Sequence, residues 1–468
     1  MEKHFSYASR FDCDRSELFD WHEKKGAFER LIPPWRSVRI IDSDFRISDG
    51  AKTTFSVGVG LFKVKWEACH EGYEYPSQFV DVQNSGPFKF WEHRHLFSQQ
   101  SESVGSILTD DITYRLPAGR LGDWLLSEKI RNDIEQMFRF RHNRTKNDLS
   151  RIAEFSGQKL RIAISGCSGL IGSQLRAFLL AAGHEVIRIS RTPTTAPSEA
   201  YWDAAGEGLD TTHLEGLDAF IHLAGENIAH KRWTKRQKAR LYSSRVDGTR
   251  KIAEALAKCA TPPKVFICAS ATGIYGDAGE QWVQEDNTDT VNSFLASVCR
   301  DWEAACAPLN PYSRVVNCRF GIVISPNGGA LKNMLFPFSL GLGGKVGNGK
   351  QYWSWISLDD AVYSIAQIIR DVSFDGPVNI VSPQVLTNLE FTKILGRVMR
   401  RPTIFPVPSL MARIVFGEMA DALLLCSCRV RSHKLQERGF DFVYPELETV
   451  LKDYLGKNEL LSTSGESI

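Results

Sequence analysis

The sequence predicts an α/β chain: a doubly wound parallel sheet preceded by a separate α+β domain. Three observations predict it. From Lys159 onward, short apolar strands alternate with helical stretches. Before that point, several strand-like runs are followed by a single long helical pattern. A glycine-rich turn at residues 166–172 joins the first strand of the alternating part to its first helix. The length, 468 residues, also exceeds one ordinary core and sets two or three domains.

In the first part, a turn signal at Ser48, Asp49 and Gly50 precedes strand-like segments at 53–59 and 62–68. Alternation continues at 78–82, 91–97 and 106–114. A helix is expected over 121–155, with Leu121, Trp124, Leu125, Ile130, Ile134, Met137 and Phe138 on one face. Strands followed by one long helix suggest a helix closing over a curved sheet. The domain is expected to span residues 1–155.

The second part is expected over 158–330. Its strands fall at 160–165, 185–190, 217–224, 265–270 and 315–323, and its helices at 170–182, 236–259 and 294–307. A mixed segment, 331–457, reads as a C-terminal cap with helices near 360–370, 388–399 and 410–425. Residues 458–468 read as a disordered tail.

Composition excludes several classes. Basic and acidic residues number 57 and 55, a net charge of +2, so nothing drives the chain toward nucleic acid or anionic membrane. The ten cysteines contain no CxxC and no zinc spacing, which fits reduced thiols in a cytoplasmic protein. The N-terminal stretch has no apolar signal core. The apolar run 410–426 is broken by Arg413, Glu418 and Asp421 and reads as a packed helix, since a membrane span needs roughly 20 apolar residues.

The turn Gly166-Cys167-Ser168-Gly169-Leu170-Ile171-Gly172 is a GxxGxxG variant of the dinucleotide fingerprint. Glycine permits the tight turn and lets a pyrophosphate approach the helix N-terminus, where free N–H groups and the helix dipole favour anions. Gly166, Ser168, Gly169, Leu170, Ile171 and Gly172 are therefore candidate cofactor contacts. At the end of the second strand stands Ser190-Arg191-Thr192, where an acidic residue would grip a ribose 2′-hydroxyl. A guanidinium there suits a 2′-phosphate, so NADP(H) is expected over NAD(H). Leu223, Ala224 and Gly225, after the next strand, complete the candidate cofactor set.

Three motifs carry a resemblance. They are the glycine turn, His222-Leu223-Ala224-Gly225-Glu226, and Ser270-Ala271-Thr272-Gly273-Ile274-Tyr275-Gly276. Residues 158–456 resemble an extended short-chain dehydrogenase of the NAD-dependent epimerase/dehydratase class. More narrowly, they resemble the subgroup labelled cell-division inhibitor or epimerase-like. Its further marks stand as Arg232-Trp233-Thr234, Ser244-Arg245-Val246, Gly328-Gly329-Ala330-Leu331, Gly341-Leu342-Gly343-Gly344, Gly349-Lys350-Gln351 and Trp355-Ile356-Ser357-Leu358-Asp359-Asp360. Residues 27–31 with Pro33-Pro34-Trp35, and Gly86-Pro87-Phe88 with 91–97, resemble a polyketide-cyclase/START-like domain. That likeness implies a helix-grip fold around an apolar ligand.

Short-chain dehydrogenases use YxxxK, whose lysine lowers the phenol's pKa from one helical turn away. None of the twelve tyrosines here has lysine four residues later; the expected helix reads Phe294-Leu295-Ala296-Ser297-Val298-Cys299. Ser270, Tyr275 and Glu226 remain, all expected at the carboxyl ends of sheet strands. On one reading Tyr275 or Glu226 moves the proton and Ser270 holds a substrate carbonyl. On the other, Ser270 and Tyr275 only line the pocket.

The function expected is NADP(H)-dependent hydride transfer or epimerisation on a small carbonyl or sugar-like substrate. A non-catalytic redox sensor and an apolar-ligand carrier are the alternatives; any protein partner is left open. The basic run Lys231, Arg232, Lys235, Arg236, Lys238 and Arg240 reads as a solvated helix face or an anion site, and Arg139, Arg141, Arg144 and Lys146 as a solvated face. Arg319 meets either a substrate anion or a salt bridge. Trp353 and Trp355 are pocket floor or core. His93 and His95 share a strand face but show no third ligand in sequence, so no metal is expected.

Overall fold

The computed structural model describes every residue except 45, 60–61, 101–104, 118, 194–195, 204–207, 288–290 and 461–468. The chain divides into two compact units, the first built mainly from residues 1–157 and the second mainly from 158–451. Most of the expected tail lies outside the described residues.

In the first unit the chain runs β1 (Glu2–Phe11), α1 (Arg15–Glu23), α2 (Ala27–Leu31), β2 (Val38–Ser43), β3 (Lys52–Val59), β4 (Phe62–Glu74), β5 (Gln78–Ser85), β6 (Phe90–Gln99), β7 (Ser106–Arg115) and α3 (Gly119–Ala153). The strands form one antiparallel sheet in the order β1-β7-β6-β5-β4-β3-β2. Burial alternates along β6 and β7, as period-two patterning requires of a sheet covered on one face. The cover is α3, whose Phe138 is fully buried and meets Phe5 and His93.

The expected helix face needs one correction. Trp124 is 80% exposed. Ile130, Ile134 and Phe138 form the inward stripe, and Trp124 sits about 80° round the helix from Ile134. The side chains of Leu121 and Leu125 lie outside the described residues. Arg30 on α2 and Asp148 on α3 form a fully buried, two-point ion pair, with Nε–Oδ2 2.9 Å and Nη2–Oδ1 2.7 Å.

The second unit holds β8 (Arg161–Ser165), α4 (Leu170–Ala181), β9 (Glu185–Ser190), β10 (Glu199–Asp203), β11 (Gly208–Leu209), β12 (Ala219–His222), α5 (Lys235–Tyr242), α6 (Gly248–Leu256), β13 (Val265–Ala271), α7 (Phe294–Ala304) and β15 (Arg314–Phe320). Short strands β14 (Trp282–Val283), β16 (Ile322–Ile324), β17 (Tyr352–Trp353) and β18 (Trp355–Ser357) lead to α9 (Leu358–Arg370) and β19 (Gly376–Ile380), with α8 (Gly329–Ser339) among them. After β19 come α10 (Asn388–Met399) and α11 (Ser409–Phe416). The main sheet has the order β11-β10-β9-β8-β12-β13-β15-β19, parallel throughout except for β11. Its strands are buried on both faces, and the chain leaves β8 in opposite directions toward β9 and β12. That reversal opens a crevice at the carboxyl ends of β8 and β12. This is an α/β dinucleotide-binding Rossmann fold.

Three expected elements are interrupted. The helix over 236–259 contains a π-helical segment, Ser243–Asp247, between α5 and α6. The strand over 315–323 breaks at Gly321, where a Cβ would lie 2.7 Å from the Ser354 carbonyl oxygen. The packed helix over 410–425 ends at Gly417 (φ 64°), and α11 leaves Leu410, Met411, Ile414 and Val415 exposed. Residue spacing alone does not show that the other side of α11 meets solvent.

The Arg30–Asp148 pair gives a direct test. Asp148→Ala removes a fully buried carboxylate partner of the Arg30 guanidinium and is expected to destabilise the first unit by about 3–5 kcal/mol in urea unfolding.

Candidate functional site

The crevice begins with backbone geometry. Gly166 has φ 79°, and a Cβ on it would lie 2.8 Å from the Leu223 carbonyl carbon. A Cβ on Gly172 would sit 2.3 Å from the Gly166 carbonyl oxygen. The turn closes through Gly169 N–H donating to the Gly166 oxygen at 2.9 Å, and α4 starts at Leu170. Ser168 and Gly169 are exposed, and Leu170 and Ile171 half-buried. The result is a tight glycine-dependent turn at a helix N-terminus, and its donors and shape fit a pyrophosphate.

Beside it, β9 ends in a turn fixed by the Thr192 N–H donating to Ser190 Oγ at 3.1 Å. Ser190 is buried while Arg191 and Thr192 are exposed. The turn thus leaves the Arg191 guanidinium exposed at the carboxyl end of β9. Leu223 and Ala224 are half-buried and Gly225 exposed beyond β12. His222 is buried, its Nδ1 2.6 Å from Ser165 Oγ, and burial lowers its pKa to about 4.

The three candidate catalytic residues separate. Ser270 and Tyr275 belong to one buried network. Ser270 Oγ donates to Glu303 Oε1 at 2.7 Å. Glu303 accepts from one edge of Arg319, Nε at 2.8 Å and Nη2 at 2.9 Å. Arg319 Nη1 donates to the Tyr275 hydroxyl at 2.8 Å, and that hydroxyl donates to Asn379 Oδ1 at 2.7 Å. Ser270, Arg319 and Asn379 lie directly opposite one another on β13, β15 and β19. Burial pushes Tyr275 up to about 12 against the pull of Arg319, so the phenol stays protonated at neutral pH.

Glu226 lies apart from that network. It is half-buried, receives Gln237 Nε2 at 3.4 Å, and its N–H donates to Ser244 Oγ at 3.1 Å. Next to it, Arg245 rises from the π segment. Its guanidinium carbon lies 5.2 Å from the Trp302 ring, and its atoms come within 3.5 Å of where a Cβ on Gly225 would stand. Burial pulls Arg245 down, with Cys299 and Glu226 opposing. Arg245, Glu303 and Asn379 were not among the sequence candidates. Arg245 stood in a quoted motif, but only the folded helix turns it toward Gly225.

Other expectations resolve as follows. Arg319 takes the salt-bridge alternative. Trp353 and Trp355 are buried core, Trp353 against Phe391. Lys231, Arg232, Thr234, Arg236, Gln237 and Arg240 line an open groove of about 450 Å³. Gln237, shared with Glu226, ties this groove to the crevice.

Residues 162–381 match the NAD dependent epimerase/dehydratase family, and residues 407–454 match a domain of unknown function, DUF1731. An epimerase family protein of Mycobacterium bovis is 42% identical over 282 residues, 60% of this chain and 93% of that protein. The chain belongs to the epimerase family. A crystal structure of the nucleoside-diphosphate sugar epimerase from Corynebacterium glutamicum is similar over 98% of this epimerase-family chain and 91% of its own, at 32% identity and TM-score 0.79. The structure of human epimerase family protein SDR39U1 (isoform 2) with NADPH is similar over 63% of this chain and 99% of its own, at 32% identity and TM-score 0.59. This member is an NAD(P)-binding protein with no described helix long and apolar enough to cross a membrane.

The buried network makes its own prediction. Glu303→Ala removes the partner of a buried arginine and is expected to cost about 3–5 kcal/mol in thermal or urea unfolding. A stability within a few tenths of a kcal/mol of the parent would move Arg319 from scaffold to ligand binding.

Proposed function

We propose that the chain is a cytoplasmic, NADP(H)-dependent epimerase-family enzyme. It acts by hydride transfer or epimerisation at a carbonyl or carbinol carbon of a small, anionic, sugar-like substrate. The observation that carries this reading is the glycine turn at Gly166–Gly172, opening a helix N-terminus next to the exposed Arg191. Gly166, Ser168, Gly169, Leu170, Ile171 and Gly172 would hold the pyrophosphate. Ser190, Arg191 and Thr192 would hold the 2′-phosphate, and Leu223, Ala224 and Gly225 the wall beyond. The human relative crystallised with NADPH supports the choice of cofactor. The cofactor, when bound, supplies the hydride acceptor or donor.

Without a tyrosine–lysine pair, the proton falls to the residues that remain. Glu226 is the best-placed carrier: half-buried, beside Arg245, and linked through Gln237 to the basic groove. That groove suits the phosphates of a substrate such as the one named for the Corynebacterium relative. Tyr275 and Ser270 act from behind, holding the crevice floor; Tyr275 is a phenol already donating its proton to Asn379. The cap, residues 331–457, is proposed to complete the substrate pocket.

The first unit is proposed as a START-like, ligand-binding domain, supported by its seven-stranded sheet gripping one long helix. A second reading has a specific observation behind it. Ser270 and Tyr275 are sequestered, which suits a non-catalytic NADP(H) sensor, the class to which a role in cell division would belong.

Titration with NADPH and NADH, followed by nicotinamide fluorescence, tests the cofactor. NADPH is expected to bind more tightly, and Arg191→Ala to weaken it about 10–100-fold while sparing NADH, the range set by charge-assisted hydrogen bonds. Equal loss for both nucleotides would remove Arg191 from the 2′-phosphate. On an identified substrate, Glu226→Gln is expected to lower kcat about 100-fold or more, and Tyr275→Phe to change stability more than kcat. An unchanged kcat in Glu226→Gln would end the acid–base role.

A further inference from the structure

The helix-facing side of the first unit's sheet carries polar residues where a gripped apolar ligand would call for aliphatic ones. His70 on β4, Asp81 on β5, His93 and His95 on β6, and Asp110 on β7 converge there, with His142 of α3 above them. Strand register does the gathering. Asp81 lies opposite His93 and also opposite His70, and Asp110 lies opposite His95. His93 and His95, two residues apart, point the same way.

The distances have a pattern. Asp81 Oδ2 lies 3.2 Å from His95 Nε2 and 3.8 Å from His93 Nδ1. One ligand atom from each of Asp81, His93 and His95 falls within 4.8 Å of the others. Neighbouring ligands of a tetrahedral ion with bonds of about 2.1 Å stand about 3.4 Å apart, between those two values.

The far nitrogens of the two histidines meet a single oxygen. His93 Nε2 and His95 Nδ1 both lie 2.8 Å from Asp110 Oδ1. A carboxylate behind each ligand imidazole is the usual support of a metal-bound histidine, since it fixes the ring and raises its basicity. Asp110's other oxygen takes His142 Nε2 at 2.5 Å.

The polar atoms here are paired mainly with one another. His70 Nδ1 and Asp81 Oδ1 are paired at 2.6 Å, and His142 Nδ1 is buried with no hydrogen-bond partner. His93 and His95 are 3% and 7% exposed, so water does not satisfy them. The rings are nonetheless held: Phe79 stacks on His95 with centroids 4.1 Å apart, and Phe138 meets His93 edge-on at 5.0 Å. Asp81 and His70 are the more open members, with side-chain exposures of 26% and 16%, which gives an ion a way in.

We propose that Asp81, His93 and His95 bind one divalent first-row transition-metal ion, of the zinc or iron(II) class, with Asp110 supporting both histidines and His70 facing the open side. Two imidazoles and one carboxylate leave coordination positions free for water or a small oxygen ligand.

The test uses the full chain, stripped with chelator and dialysed against Zn(II), Co(II) or Fe(II) alone. One equivalent is expected by elemental analysis and calorimetry, with d–d absorption for Co(II) and a higher Tm when loaded. Asp81→Asn and His95→Asn are expected to weaken binding by more than about 100-fold, and Asp110→Asn by about 10–100-fold, the range for a supporting carboxylate. Asp81 is the most exposed ligand, so Asp81→Asn decides the matter if a histidine variant fails to fold. No stoichiometric binding by the parent chain, or equal affinity in folded Asp81→Asn, would overturn the site. NADPH titration is independent of either result.

Discussion

No side chain fits between the turn after β8 and the end of β12. This constraint organises the second unit. Gly166 must pass against Leu223 and Ala224, and Gly172 must sit on the Gly166 carbonyl. Both contacts exist because the parallel ladder places Ser165 beside His222, so the two strands end together. The approach leaves the first turn of α4 with free N–H groups facing an open crevice. The neighbouring strand ends then supply the rest: Arg191 on one side, Gly225 and Glu226 on the other.

Below this opening the protein spends charge on rigidity. Burying Arg319 is favourable only with its partners in place, and it has them in Glu303, Tyr275 and the Glu285 carbonyl. The network joins β13, α7, β15 and β19 near the carboxyl ends of the strands. Fixed groups there reorganise little, while the groups left half-exposed, Glu226 and Arg245, remain free to respond to a ligand. In the first unit, Arg30 and Asp148 join α2 to α3 in the same way.

What the sequence disclosed was local. Period-two burial on β6 and β7, the apolar parallel strands and the glycine turn are each written within a dozen residues, and each was readable. The Ser190-Arg191-Thr192 turn was readable for the same reason. What stayed hidden depends on register or on what covers a face. Asp81 is twelve residues before His93, and no spacing rule brings it to the two histidines; the antiparallel ladder does. Glu303 joins Ser270 only because α7 packs behind β13. Trp124 and the apolar residues of α11 read as core from periodicity, yet periodicity does not say whether anything covers them.

The segment Ser243–Asp247 holds one residue more than an α-helix would place between α5 and α6. The wider turn absorbs that residue: five π residues turn through about the angle of four α residues, so α5 and α6 keep nearly the phase of one continuous helix. Deleting one residue there would therefore leave the basic groove and Gln237 facing as they do and shift only the side chains of the segment itself, Arg245 among them.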